Sequence, residues 1–353
     1  MHVVHFITRL IIGGAQENTL LTVEDQARIH GDSVQLVTGP GLGPEGSLEE
    51  RATRNGVDLR ILPDLHRAIR PWSDAGAYRS LKNLLRELKP DLLHTHSSKA
   101  GILGRAAAES VGIPCVHTIH GAAFFEGQNR FVNRLYMGLE RWAAGRTARM
   151  ISVADAMTRE YLAAGVGRPE QYVTVYSGMD VDPFLSPPRP RETVRAELGF
   201  AANQIVIGKI ARLFHLKGHN DVILAAKQVV ERHPEARFLW VDDGILRSDL
   251  ERRIAEAGLS SHFVFTGLVP PERVPELIHA MDIVVHCSRR EGLARVLPQA
   301  LIAGKPVVSY DVDGAREVCV PGETGLLLTP GAIPDLVDAL NMLVASTDMR
   351  DAF

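Results

Sequence analysis

Cysteine is scarce in this sequence: Cys115, Cys287 and Cys319 are the only three in 353 residues, and they lie far apart. Such spacing builds neither a disulfide framework nor a zinc site, and it fits a reducing compartment. An excess of one charge is also missing, with 39 Lys and Arg against 42 Asp and Glu and a net charge of -3. No global basic field is present to hold nucleic acid. Long apolar runs are absent too, since none approaches the roughly 20 residues of a membrane-spanning helix. The apolar start after Met1 is short, lacks a positive flank and is broken by Arg9, so it does not read as a secretory signal. The expectation is a cytoplasmic protein, soluble or peripheral on the inner face of the membrane. Finally, no Gly-x-Gly-x-x-Gly follows the first strand of either half, which argues against a dinucleotide-dependent dehydrogenase.

What is present is alternation. Short β-branched runs at residues 3–7, 34–37, 92–94, 116–118, 150–153 and 173–175 are each followed by a segment of helical period. Strands alternating with helices predict a parallel, doubly wound sheet. A helix over 81–88 stops before Lys89-Pro90, and one over 99–111 stops at Gly112 ahead of Pro114. After Asp182, the prolines 183, 187, 188 and 190 mark a linker that leads into a charged helix over 191–198. Strand runs then restart at 205–207, 238–241, 263–266, 283–285, 307–308 and 326–328. The length and the 45% apolar content allow two cores. The fold expected is therefore α/β, with two Rossmann-like parallel-sheet domains, 1–182 and 183–353, facing across a cleft. In open α/β folds ligands bind beyond the carboxyl ends of the strands, so residues there matter most.

Gly13-Gly14 follows the first strand and opens a helix near Ala15, where bare backbone can approach an anionic or hydroxyl-rich ligand; a plain turn is the other reading. His94 and His96 end the strand after residue 92, and His120-Gly121 ends the next. Imidazole there can donate to or accept from a sugar hydroxyl, or be structural; function is favoured for His120, structure for His94, and His96 is open. No Cys or carboxylate stands at ligand spacing from these histidines, so no metal is expected. Arg212, Lys217 and Gly218 lie between the first strand of the second half and its helix, a fork of donors and a mobile charge suited to a diphosphate. After the strand at 283–285, Glu291 falls on a loop and Gly292 turns the chain into a helix with free N–H groups. Gln299 lies one face-repeat further along that helix, able to reach a ribose, although an ordinary helix cap explains the Glu-Gly pair as well. Between Phe124 and Arg149, Phe131, Leu135 and Tyr136 mix with Arg130, Arg134, Arg141, Arg146 and Arg149. That is either a helix lying on an anionic membrane or a domain helix with a solvated face.

Taken in order, these segments resemble the retaining glycosyltransferases of family 4. The resemblance runs through Gly13 to Glu17, His94-Thr-His96 with Gly101 and Gly104, Thr118 to Gly121, Ser152 to Ala154 and Tyr176 to Asp180. It continues through Arg212 to Gly218, Asp243-Gly244, Phe265 to Gly267, Glu291-Gly292 and Gly322 to Gly325. It implies the two-Rossmann GT-B architecture and a nucleotide diphosphate-sugar as donor, with no bound metal or other cofactor. It also implies transfer of a hexose, with retained configuration, to a glycan or lipid-linked acceptor in cell-envelope or exopolysaccharide assembly. By the same resemblance the catalytic set is His120, Glu291, Arg212 and Lys217. Arg212 and Lys217 would bind the diphosphate, Glu291 a hydroxyl of the donor sugar, and amides at Gly292, Leu293 and Ala294 would assist. Gly14 would approach the phosphate or the acceptor, and residues around Leu268 would contact the nucleobase. His96 and Lys99 fall on the acceptor side.

Three residues depart from the family pattern: Gln299 stands for the usual second Glu, Asp242 for a Gly before Asp-Gly, and Ser177 for an Asn. The chain stops at Phe353 soon after a helical segment at 333–344, whereas relatives continue into helices that cross back onto the first domain. A catalytically weak nucleotide-binding protein and a nucleotide-sugar epimerase of the same fold are the alternatives.

Overall fold

The computed structural model describes residues 1–43, 46–125 and 127–353. Two compact units emerge, Met1–Met179 and Asp180–Phe353. The first contains β1 (His2–Ile7), α1 (Gly14–His30), β2 (Ser33–Thr38), α2 (Glu49–Arg54), β3 (Asp58–Ile61), α3 (Pro71–Leu88) and β4 (Leu92–His96). It goes on with α4 (Ser98–Val111), β5 (Cys115–Ile119), α5 (Arg130–Ala144), β6 (Arg149–Ser152), α6 (Asp155–Ala163) and β7 (Tyr172–Thr174). Its sheet has the order β3-β2-β1-β4-β5-β6-β7, every pairing parallel.

The second unit contains α7 (Asp182–Leu185), α8 (Arg191–Glu197), β8 (Ile205–Ile210), α9 (His219–Arg232), β9 (Ala236–Val241), α10 (Arg247–Glu256) and β10 (Phe263–Phe265). It ends with α11 (Val274–Ala280), β11 (Ile283–His286), α12 (Val296–Ile302), β12 (Val307–Tyr310), β13 (Gly325–Leu328), α13 (Ile333–Ala345) and α14 (Thr347–Asp351). Its sheet runs β10-β9-β8-β11-β12-β13, again all parallel. Both units are thus Rossmann-like, as expected.

The apolar runs are continuous because both faces of each sheet are covered. In the second unit, Phe238 and Trp240 of β9 enter one buried layer with Val285 of β11 and Leu336 of α13. The alternate residues Leu239 and Val241 enter the opposite layer with Leu277 of α11 and Leu297 of α12. In the first unit Phe6 packs against Leu81 and Leu85 of α3, while Ile7 packs against Leu20 of α1. Helix ends follow local chemistry: Lys89 turns α3 off with φ 47 just before Pro90, and Gly112 ends α4 with φ 75. Among the described residues no helix is long and apolar enough to cross a membrane.

The order of strands reverses between β1 and β4, and again between β8 and β11. At such a reversal the connections leave in opposite directions and open a crevice at the carboxyl ends.

Candidate functional site

In the second unit two loops leave this reversal point. The loop from β8 to α9 carries Arg212, Lys217 and Gly218, and the loop after β11 carries Glu291. Lys217 Nζ donates to Glu291 Oε1 at 2.5 Å, and both side chains are about one-fifth exposed. Gly218 has φ 65, and a Cβ there would sit 1.9 Å from the carbonyl oxygen of Cys287, so only glycine lets the loops approach this closely. The N–H of Arg289 also donates to the carbonyl of Leu216 at 2.8 Å. His219 Nε2 donates to the carbonyl of Arg212 at 3.1 Å, fixing the start of the same loop. Its ring is neutral, since burial and the charge of Lys209 push its pKa down to about 3. The Arg212 guanidinium lies 5.2 Å from the Phe214 ring.

The segment after Glu291 differs from expectation. Gly292 does not open a helix: α12 starts at Val296, and Gly292, Leu293 and Ala294 form a bend before it. Pro298 is the reason. It occupies the third helical position, where a missing N–H is harmless, whereas a helix from Gly292 would place it in the interior against Ala294. The bend is instead tied to the segment after β12, with the Glu291 N–H donating to Asp313 Oδ2 at 2.5 Å and the Gly314 N–H to the Gly292 carbonyl at 3.2 Å. Gln299 lies half-buried in the first turn of α12, so Glu291 and Gln299 do not share a helical face. Leu268, half exposed, follows Gly267, whose carbonyl accepts from the Asp242 N–H at 3.2 Å.

Beneath the pair lies a buried polar group that the sequence reading passed over. Lys209 on β8 is 1% exposed, and its ammonium has no hydrogen-bond partner among the described residues; the same holds for both His286 ring nitrogens and the Ser288 hydroxyl. Burial pushes Lys209 down to about 8. His286 Nε2 stands 3.4 Å from Glu291 Oε1, too poorly aligned for a hydrogen bond, and burial keeps the imidazole neutral. Sequence could have flagged His286, which ends a strand, and Ser288, which follows it toward Glu291. Lys209 is hidden within an apolar run, and only the pleat assigns its direction.

In the first unit Gly13 precedes α1 and Gly14 is its first residue, so the glycine pair does form a helix N-terminus. At the carboxyl ends of β1, β4 and β5 the histidines meet. His96 is 2% exposed; its Nε2 stands 3.0 Å from His5 Nδ1, and its Nδ1 stands 3.1 Å from Nε2 of the half-buried His120. His94 Nε2 pairs with Thr118 Oγ1 at 2.7 Å. His5, His94 and His96 each have a ring nitrogen within 4.8 Å of the others, close enough to hold a metal ion, and His5 Nε2 and His94 Nε2 also bond to Gln26 and Thr118. Lys99 is engaged by α3 and its approach, paired with Asp74 and donating to the Ala68 carbonyl at 2.5 Å.

The basic stretch forms α5 from residue 130; Glu126 lies outside the described residues. Its inner face is Glu140, Ala143 and Ala144, with Glu140 paired at 2.7 Å to the buried Arg105. Its outer face is apolar: Phe131 is 81% exposed, Leu135 57% and Trp142 41%, among the exposed Arg130, Arg134 and Arg141.

These features agree with known proteins. The family model described as glycosyl transferases group 1 matches residues 190–353, and that of the glycosyl transferase 4-like domain matches 13–178. The 2-deoxystreptamine glucosyltransferase of Streptomyces kanamyceticus is 31% identical over 88% of this chain and 79% of its own. The UDP-Gal:alpha-D-GlcNAc-diphosphoundecaprenol alpha-1,3-galactosyltransferase of Escherichia coli is 30% identical over 83% of this chain and 76% of its own. A crystal structure of HepE from Anabaena, in complex with UDP and glucose, superposes with a TM-score of 0.84 at 23% identity, covering 100% of this chain and 92% of its own. Two parallel-sheet units in this order, the Lys217–Glu291 pair at the second reversal point and the likeness along nearly the whole length lead to one assignment: this chain belongs to the group 1 glycosyltransferases, family 4.

Proposed function

We propose that the chain transfers a hexose, with retained configuration, from a nucleotide diphosphate-sugar to a glycan or lipid-linked acceptor in cell-envelope or exopolysaccharide assembly, in the cytoplasm. The Lys217–Glu291 pair at the β8/β11 reversal point carries this reading. A cation and a carboxylate held side by side meet the two halves of such a donor, Lys217 with Arg212 taking the diphosphate and Glu291 a sugar hydroxyl. Charge that develops on the departing nucleoside diphosphate is stabilised by Arg212 and Lys217, fixed before the reaction begins. The amides of Gly292, Leu293 and Ala294 assist from the bend, Gln299 serves the ribose and the loop at Leu268 the base. In the first unit His120 serves the donor sugar, Gly14 the phosphate or the acceptor, and His96 and Lys99 act on the acceptor side only through the groups they bond.

Donor turnover by Arg212→Ala and Glu291→Ala tests the roles, against thermal shifts of the parent protein with UDP-, GDP- and ADP-sugars. A donor at 100 times its Kd adds about 2.7 kcal/mol of stability, enough to rank the panel. Unchanged turnover in both variants, or no shift with any donor, defeats the assignment.

The outer face of α5 supports peripheral binding to an anionic membrane. Its apolar side chains can enter the headgroup boundary while the arginines meet lipid charge, and its one acid, Glu140, is turned inward. Flotation with phosphatidylglycerol vesicles, lost in Phe131→Ser/Trp142→Ser, is the expected outcome. Equal flotation by parent and variant would refute it.

A further inference from the structure

The histidines of the first unit form a chain whose hydrogen-bond direction is fixed from one end. Gln26 on α1 donates from Nε2 to Asp32 Oδ2 at 3.2 Å, so the oxygen of its amide faces the other way. That oxygen, Oε1, stands 2.8 Å from His5 Nε2, and an amide oxygen only accepts, so the proton of His5 is on Nε2. His5 is fully buried, and burial pushes its pKa down to about 4, leaving a single ring proton and a bare Nδ1. His96 Nε2, 3.0 Å away, must therefore donate to it. His96 is likewise neutral through burial, so its Nδ1 accepts from His120 Nε2 at 3.1 Å. The ring centroids are 5.2 Å apart for His5 and His96 and 5.4 Å for His96 and His120, with planes inclined by 13° and 28°. Those values suit rings bonded edge to edge.

We propose that Gln26, His5 and His96 are positioning residues that hold His120 in its Nε2–H tautomer, so that the ring meets a sugar hydroxyl as an acceptor through Nδ1. This rests on the reading of His120 as a group serving the donor sugar. The ring then selects a ligand group that carries a proton, and it disfavours a bare oxyanion. A carboxylate or amide orienting a histidine is a common device of functional sites; here the orienting group acts through two further rings.

The chain can be reversed at its far end. In Gln26→Lys, an ammonium held by Asp32 donates to His5 Nε2, and the three rings must all switch to Nδ1–H. Gln26→Glu keeps an acceptor there and leaves all three unchanged. Nitrogen-15 spectra of histidine-labelled full-length protein read the tautomers directly. The expected result is Nε2–H for His5, His96 and His120 in the parent and in Gln26→Glu, and Nδ1–H for all three in Gln26→Lys. With UDP-glucose as the probe, kcat/KM should fall on the order of tenfold in Gln26→Lys and stay within about twofold in Gln26→Glu. Nδ1–H on His120 in the parent overturns the proposal even if Gln26→Lys does not fold, and so does a folded Gln26→Lys whose tautomers are unchanged. If the tautomers are as expected but His120→Ala turns over the donor like the parent, the failure lies with the role of His120 and the chain of rings stands.

Discussion

Lys217 Nζ reaches Glu291 Oε1 across a sequence separation of 74 residues, joining the ends of β8 and β11. Burial pushes the Glu291 carboxyl up, but the charge of Lys217 and the hydrogen bond it donates outweigh it and hold the group well below the ordinary carboxylate range. A depressed folded pKa means stability that is present above the unfolded value of 4.5 and is lost as the pH falls through the folded one. Glu291→Gln should therefore be less stable than the parent by about 2 kcal/mol at pH 7, and the gap should close as the medium is acidified below pH 4.5. Urea midpoints between pH 3 and 7 check it. A gap that does not vary with pH would show that the ion pair is not its source.

Lys209 works in the opposite sense. Its folded pKa lies near 8, below the 10.5 of the free side chain, so the unfolded chain holds the extra proton between those values and stability rises with pH across that window. Lys209→Met should be more stable than the parent at pH 7 by on the order of 2–3 kcal/mol, with the advantage shrinking above pH 8. Thermal melts from pH 7 to 10 give the answer. A destabilised variant would mean that the ammonium is well satisfied in the folded protein.

Arg105 and Glu140 form an ion pair that is 0% and 2% exposed, and Arg105 Nε also donates to the Gly101 carbonyl at 2.9 Å. Removing one partner strands a buried charge, so Glu140→Leu alone should cost about 3–5 kcal/mol. Arg105→Met/Glu140→Leu should recover most of that loss, because apolar replacements carry no desolvation penalty. Chemical denaturation of the two single variants and the double variant measures this. Simple additivity would contradict it.

Gly218→Ala should be among the most damaging small changes in the second unit. The new methyl meets the Cys287 carbonyl at 1.9 Å from a backbone with positive φ. A loss of more than about 3 kcal/mol is expected, together with loss of any thermal shift from nucleotide-sugars. A variant with parental melting temperature would show the loops to be independent.

Much of this was legible in the residue order. Both sheets and the Lys217 and Glu291 loops follow from apolar period and turn chemistry, whereas the order of the strands, and with it the two reversal points, does not. β3 was not, because it is a mostly exposed edge strand in which Asp58 and Arg60 alternate with Leu59 and Ile61 and no apolar run forms. The late start of α12 was legible in principle, since Pro298 allows no earlier one. The partners of His96 and Lys99 were not, because Gln26, His5 and Asp74 come from elements brought alongside only by strand order and packing.

Three ties join the β8 and β11 loops: the Lys217–Glu291 ion pair, the Arg289 N–H on Leu216 and the close seat of Gly218 on Cys287. Loops already fastened to each other lose little conformational freedom when a ligand arrives. Association at this face of the second unit is then governed by how fast a ligand comes in and leaves, and its calorimetric entropy should carry little penalty from chain ordering.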